Sequence, residues 1–221
     1  MAQTVQPQES VAVNNSETPL LTVIVDSFLA LPGWEVLATV LGIAYVILAA
    51  RESIWCWPAA FVSTLIYTLL FWEGQLPMQA LLNIYYMGMA VYGWTLWRKQ
   101  AQQDDGVLIS SRPAQFHLLF ISSGVILSLL AALYLEKVIG SRLPYLDAFV
   151  MVFSVMNTIL MARKVIENWL YWLVINSAAI ALYWQTGYYV TIVMFTLYFF
   201  LAIFGYLNWR KLSRNQPNVN V

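Results

Sequence analysis

Gly93-Trp94-Thr95-Leu96-Trp97-Arg98-Lys99 returns 112 residues later as Gly205-Tyr206-Leu207-Asn208-Trp209-Arg210-Lys211. The same gap-free shift pairs Arg51 with Arg163, Trp57 with Trp169, Trp72 with Trp184 and Tyr86 with Tyr198. Between 42–99 and 154–211, 15 of 58 aligned positions are identical, and three of those are tryptophan pairs, which chance rarely produces. The chain carries an internal repeat.

Composition sets the solvent in which that repeat folds. Of 221 residues 61% are apolar and 10% charged, where soluble domains carry roughly a quarter charged residues. Eleven basic residues balance eleven acidic ones, so no overall field draws nucleic acid or acidic partners, and no basic patch with interleaved aromatics is present. Cys56 and His117 are the single cysteine and histidine, which excludes an intrachain disulfide or a cysteine metal cluster. Motifs for hydrolysis or phosphate binding are absent. No cofactor or metal is expected, and no enzyme chemistry. Cys56 between two tryptophans reads as a small packed thiol, and His117 as a packing or interfacial residue.

Residues 1–18 are polar, with Glu9 and Glu17 and no basic residue; they cannot supply the positive start of a signal peptide and read as a disordered tail. Residues 19–31 are apolar but too short to span ~30 Å of hydrocarbon and stop at Pro32-Gly33, which fits an interfacial amphipathic helix. Seven apolar runs follow, at about 34–50, 54–72, 76–97, 115–136, 144–162, 168–184 and 188–209. Each is near the ~20 residues of a spanning helix. The expected fold is therefore an all-α membrane protein with seven transmembrane helices. Alternate loops are basic. With the N-terminus outside, inner loops hold Arg51, Arg98, Lys99, Arg112, Arg163, Lys164, Arg210, Lys211 and Arg214, and outer loops only Lys137 and Arg142. The C-terminus then faces the cytoplasm of a bacterial inner membrane.

The repeat divides these runs into three-helix units, 34–97 and 144–209, with a cytoplasmic linker at 98–114, a linker helix at 115–136 and a cytoplasmic tail at 210–221. The odd inserted helix restores the direction of the second unit, so the repeats run parallel. This 3+1+3 arrangement is SWEET-like, and such repeats hold their ligand between them near the bilayer midplane.

Residues that break the repeat are the better candidates for contacting an asymmetric ligand. Trp172 matches Ala60, Asn176 matches Thr64 and Asn157 matches Tyr45. Trp169, Trp172 and Asn176 stand at i, i+3 and i+7, on one helix face. Asn176 lies nine residues, ~13 Å, from Glu167, close to the middle of the membrane. An amide there needs a partner, either a ligand or a neighbouring helix. Asn157 reaches a comparable depth, and Asn83 and Tyr86 complete the candidate set. The tryptophans kept in both halves, Trp57 with Trp169 and Trp72 with Trp184, sit at helix ends and fit an interfacial aromatic belt, a rival role for Trp169. Glu35 and its counterpart Asp147 lie at outer helix ends as hydrated anchors. No acidic or basic residue falls securely mid-membrane, which favours passive diffusion over proton coupling. Tryptophan, tyrosine and asparagine without a fixed charge suit a neutral or cationic aromatic metabolite, since an indole face attracts cations.

Glu167-Asn168-Trp169-Leu170-Tyr171-Trp172 with Asn176, Trp55-Cys56-Trp57-Pro58, Phe71-Trp72, Tyr92-Gly93-Trp94 and the closing Gly205–Lys211 block together resemble the PnuC-type vitamin transporters. The resemblance covers about 33–211. It implies a SWEET-like fold, facilitated diffusion of nicotinamide riboside, and retention of the vitamin by a separate cytoplasmic kinase. Through the family's Trp-x-x-Trp-x-x-x-Asn/Asp motif it makes Trp169, Trp172 and Asn176 binding residues, and it points to a homotrimer. Thiamine, another cationic heteroaromatic vitamin carried within the family, is the alternative substrate.

Overall fold

A computed structural model describes residues 22, 32–101, 108–140 and 142–215. The tail at 1–18 and, apart from residue 22, the interfacial helix expected over 19–31 lie outside the described residues, as do 102–107 of the linker and 216–221 of the C-terminal tail. Among the described residues the chain forms seven α-helices: α1 Gly33–Ala50, α2 Cys56–Glu73, α3 Pro77–Ala101, α4 Ala114–Tyr134, α5 Pro144–Ala162, α6 Asn168–Thr186 and α7 Tyr189–Arg214. A π-helical turn, Leu135–Ile139, extends α4 and ends at Gly140 with φ +70°, where glycine meets no Cβ penalty.

Four of the seven, α1, α4 with its extension to Val138, α5 and α7, are long and apolar enough to cross a membrane, with mean hydropathies of 1.8, 2.3, 1.7 and 2.2. The seven apolar runs read from the sequence, each near spanning length, thus resolve into two kinds of helix. The reason lies in α2, α3 and α6. Trp57, Thr64 and Tyr67, then Asn83 and Tyr86, then Trp169, Trp172 and Asn176 lower their hydropathy, and these residues face an internal cavity rather than the outside.

Packing follows chain order within 33–101 and again within 144–214, where each helix packs on the next. Two cross-contacts join the sets: α1 lies on α7, and α3 on α5. Under the 112-residue shift these contacts are counterparts. α4 packs on α5.

The turns after α1 and α5 are built alike. Ser53 N–H reaches Leu48 O at 2.9 Å and Val165 N–H reaches Leu160 O at 3.0 Å, the six-to-one bond that closes a Schellman turn. Such a turn places one residue in the left-handed region, here Glu52 at φ 59° and Lys164 at φ 51°. Neither is glycine, and each conformation costs ~1–2 kcal/mol. These two residues, counterparts under the shift, also touch: Lys164 Nζ lies 2.5 Å from Glu52 Oε1 and 4.5 Å above the Trp97 ring.

Beyond α3, residues 108–113 return against the α5–α6 turn. Ser110 and Val165 form a parallel bridge, with Ser110 N–H on Lys164 O at 3.0 Å and Ile166 N–H on Ser110 O at 2.9 Å. Ser111 donates to Glu167. His117 pairs its Nδ1 with the Tyr171 hydroxyl at 2.8 Å and its Nε2 with Arg112 O at 3.1 Å, consistent with a packing role.

Candidate functional site

Two glycines create the base of the site. In α3 and α7, a Cβ at Gly93 would overlap the Trp57 ring and one at Gly205 would overlap the Trp169 ring. Without those carbons each indole slides flat against a helix backbone and is almost wholly buried, at 2% and 1% exposure. The interfacial belt is therefore the wrong place for Trp57 and Trp169; of the conserved pairs, Trp72 at 70% and Trp184 at 64% are the exposed ones.

Each buried indole then meets the tryptophan four residues beyond its glycine edge to face. Trp57 and Trp97 centroids are 5.4 Å apart at 86°, and Trp169 and Trp209 are 5.5 Å apart at 88°. Trp97 and Trp209 approach each other at 6.4 Å. Their N–H groups cross between the helix sets, Trp97 Nε1 to Ala162 O at 2.9 Å and Trp209 Nε1 to Ala49 O at 3.0 Å. Beyond this aromatic layer stands the Glu52–Lys164 pair. Both the tryptophan layer and the Glu52–Lys164 pair lie toward the end of the bundle that carries Arg51, Arg98, Arg163 and Arg210.

Above Trp57 and Trp169 lies a cavity of about 290 Å³. Six helices line it and α4 does not. Trp169, Trp172 and Asn176 present one face of α6 to it, and Asn83 and Tyr86 enter from α3. Tyr45, Tyr67, Phe195 and Tyr198 complete an aromatic wall. No lining residue is Asp, Glu, Lys, Arg or His. Asn176 is 3% exposed, and its amide has no hydrogen-bond partner among the described residues. The Asn83 amide nitrogen donates to Gln79 O at 2.9 Å, which leaves one amide hydrogen and the oxygen for other partners.

Asn157 is not among the lining residues. It is fully buried, and its amide nitrogen donates to Asn168 O at 2.9 Å, tying α5 to the first residue of α6. Depth along a helix places a residue at a level and leaves its direction open, so equal depth did not bring Asn157 to the other candidates.

A family model described as nicotinamide mononucleotide transporter matches residues 33–211. The chain belongs to that family. Members similar to it include the nicotinamide riboside transporter PnuC of Escherichia coli, 24% identical over 207 residues that cover 82% of this chain and 87% of that one. The riboflavin/roseoflavin transporter RibM of Streptomyces davaonensis is 26% identical over 183 residues, covering 81% of this chain and 85% of its own. A crystal structure of the vitamin B3 transporter PnuC superposes with a TM-score of 0.69 at 23% identity over 89% of both chains, which shows a common fold. The family is one of transporters, not enzymes, and with several helices able to cross a bilayer this member is a multi-pass membrane protein.

For a transporter-family member the cavity contains more than the motif indicated. Trp57, Ser63, Thr64, Thr158 and Tyr198 also line it. A signal for three of them was present in the repeat: Trp57 is the counterpart of Trp169, Thr64 of Asn176, and Tyr198 of Tyr86. A cavity between two related helix sets receives residues from both members of such pairs.

Proposed function

We propose that the protein carries nicotinamide riboside across a bacterial inner membrane by facilitated diffusion, with the vitamin held in the cytoplasm through phosphorylation by a separate kinase. The observation that carries this reading is the cavity itself, walled by aromatic rings, free of acidic and basic side chains and holding an unspent amide at Asn176. A pyridinium ring stacks on indole and is attracted to its face. Its carboxamide matches an asparagine in both donor and acceptor capacity.

The same cavity argues for the riboside over the mononucleotide. A phosphate wants Arg, Lys or a helix N-terminus, and none of the lining residues supplies a cation. Its volume, about 290 Å³, lies at the small end of the ~300–1,000 Å³ range of ligand pockets. That fits one ring and one sugar better than a tricyclic flavin.

The helix arrangement in this reading is 3+1+3, with parallel units at α1–α3 and α5–α7 joined by α4 and all seven helices spanning the bilayer. It is supported by the counterpart contacts α1 on α7 and α3 on α5 and by the absence of α4 from the cavity. The basic end is cytoplasmic, the N-terminus outside. Passive transport is supported by a cavity with no Asp, Glu, Lys, Arg or His among its lining residues.

Uptake of labelled nicotinamide riboside and thiamine into vesicles holding the purified protein tests the reading. Riboside should equilibrate without a gradient, and accumulate only with its kinase and ATP enclosed. Entry of thiamine alone would transfer the assignment to that vitamin; accumulation of unmodified riboside on a proton or sodium gradient would refute the passive mechanism.

A further inference from the structure

Thr64 and Asn176 are counterparts under the 112-residue shift, and each stands eight residues into its helix from Cys56 and Asn168, ~12 Å along the axis. Both line the cavity. The backbones of α2 and α6 do not pack on each other, so the two residues reach the cavity from separate helices at one level.

Their chemistry differs. The Asn176 amide is uncommitted and offers two donor hydrogens and an acceptor oxygen. Thr64 has already used its single hydrogen, with Oγ1 2.8 Å from Ala60 O and 3.1 Å from Phe61 O. What remains is a pair of lone pairs, which only accept. Two further lining hydroxyls are in the same condition. Ser63 Oγ donates to Ala38 O at 2.8 Å, and Thr158 Oγ1 donates to Ser154 O at 2.8 Å. At Ser63, Thr64 and Thr158 the α2 and α5 sides of the cavity therefore present oxygens whose hydrogens are spent, against an Asn176 amide on α6 that both donates and accepts.

We propose that Thr64 is a specificity residue: its Oγ1 accepts a hydrogen bond from a donor group of the ligand, with Ser63 and Thr158 as further acceptors, while Asn176 holds the ring end from α6. For the riboside assigned above, on which this inference rests, the sugar hydroxyls are those donors and the carboxamide ring lies toward α6. The site reads the substrate in one orientation, and two near-symmetric helices achieve this because one counterpart hydroxyl is spent and the other amide is not. Hydroxyls bonded back to their own helix are common in apolar segments. Thr68 supplies the comparison, since its Oγ1 also donates to Thr64 O at 2.7 Å but does not line the cavity.

The test is binding of nicotinamide riboside and of 1-methylnicotinamide, which shares the charged ring and carboxamide and lacks the sugar, to full-length protein in detergent, followed by calorimetry. Thr64→Val should weaken riboside binding about tenfold, the scale of one hydrogen bond lost to a buried group, and leave 1-methylnicotinamide unchanged. Thr68→Val should alter neither. Thr158→Val should show the same selective loss on a different helix, and it carries the test should Thr64→Val not fold. Equal weakening of both ligands, or of neither, in the folded variants overturns the role of Thr64. Wild-type protein that binds neither compound refutes the substrate assignment itself, and this inference with it.

Discussion

Gly205→Ala measures how tightly the base of the cavity is fitted. The new Cβ would sit 2.6 Å from Cδ2, Cε2 and Cε3 of Trp169, where ordinary contact begins at 3.4 Å. About 0.8 Å must be recovered, and all three neighbours belong to the Trp169 ring. Trp169 is 1% exposed and is braced edge to face by Trp209 at 5.5 Å, so the indole has room to retreat only toward the cavity it lines. Overpacking of this kind costs ~1–3 kcal/mol. If half of that, ~0.5–1.5 kcal/mol, appears as displacement of the binding wall, riboside affinity falls about two- to twelvefold, since ~1.4 kcal/mol is a factor of ten. Thermal unfolding in detergent and riboside titration read the two effects separately. Gly88→Ala, where nothing lies within 4 Å, is the matched control and should leave both unchanged. A Gly205→Ala protein with wild-type melting temperature and affinity would refute the close fit, and so would equal damage from Gly88→Ala.

Asn176→Leu should abolish most riboside binding, by tenfold or more, while the melting temperature stays near wild type, because the amide has no protein partner to lose; unchanged uptake removes Asn176 from the site. Glu52→Gln should lower stability by ~1.5–3 kcal/mol, the scale of a charge-assisted hydrogen bond. Exchanging the charges in Glu52→Lys/Lys164→Glu should recover part of that loss, and a double variant no more stable than the single one would contradict the pairing. Tyr171→Phe removes the partner of His117 Nδ1, so amide hydrogen exchange at Ser110 and Ile166 should quicken several-fold; unaltered exchange would show that the bridge holds the linker unaided. A C-terminal reporter should be active only when its enzyme works in the cytoplasm.

Helix positions were legible because apolar length carries most of the information about spans, and α1, α5 and α7 begin and end within a few residues of their hydropathy limits. Mean hydropathy sets α4 apart from α6 but does not say which residues of α6 line the cavity. Periodicity recovered the face of Trp169, Trp172 and Asn176, since 3.6 residues per turn is a local property. It did not reveal that Asn157 turns toward Asn168 O, which depends on where the α5–α6 turn places a carbonyl. Nor did it distinguish Trp57 from Trp72, two tryptophans near helix ends. Gly93 made that distinction, and its meaning depends on a helix packing that sequence spacing does not encode.

The contact between Glu52 and Lys164 bears on whether either half of the chain is interchangeable with the other. Where a segment meets its own counterpart, two identical copies present identical charges. Two copies of the first unit would bring a carboxylate against a carboxylate, and two copies of the second an ammonium against an ammonium, each on a turn already held in the left-handed region. In this chain the counterparts carry opposite signs, so attraction between unlike charges stands where a like pair would repel. The first unit therefore recognises the second and rejects itself, and a single charge reversal at one of these two positions is enough to erase that self-discrimination.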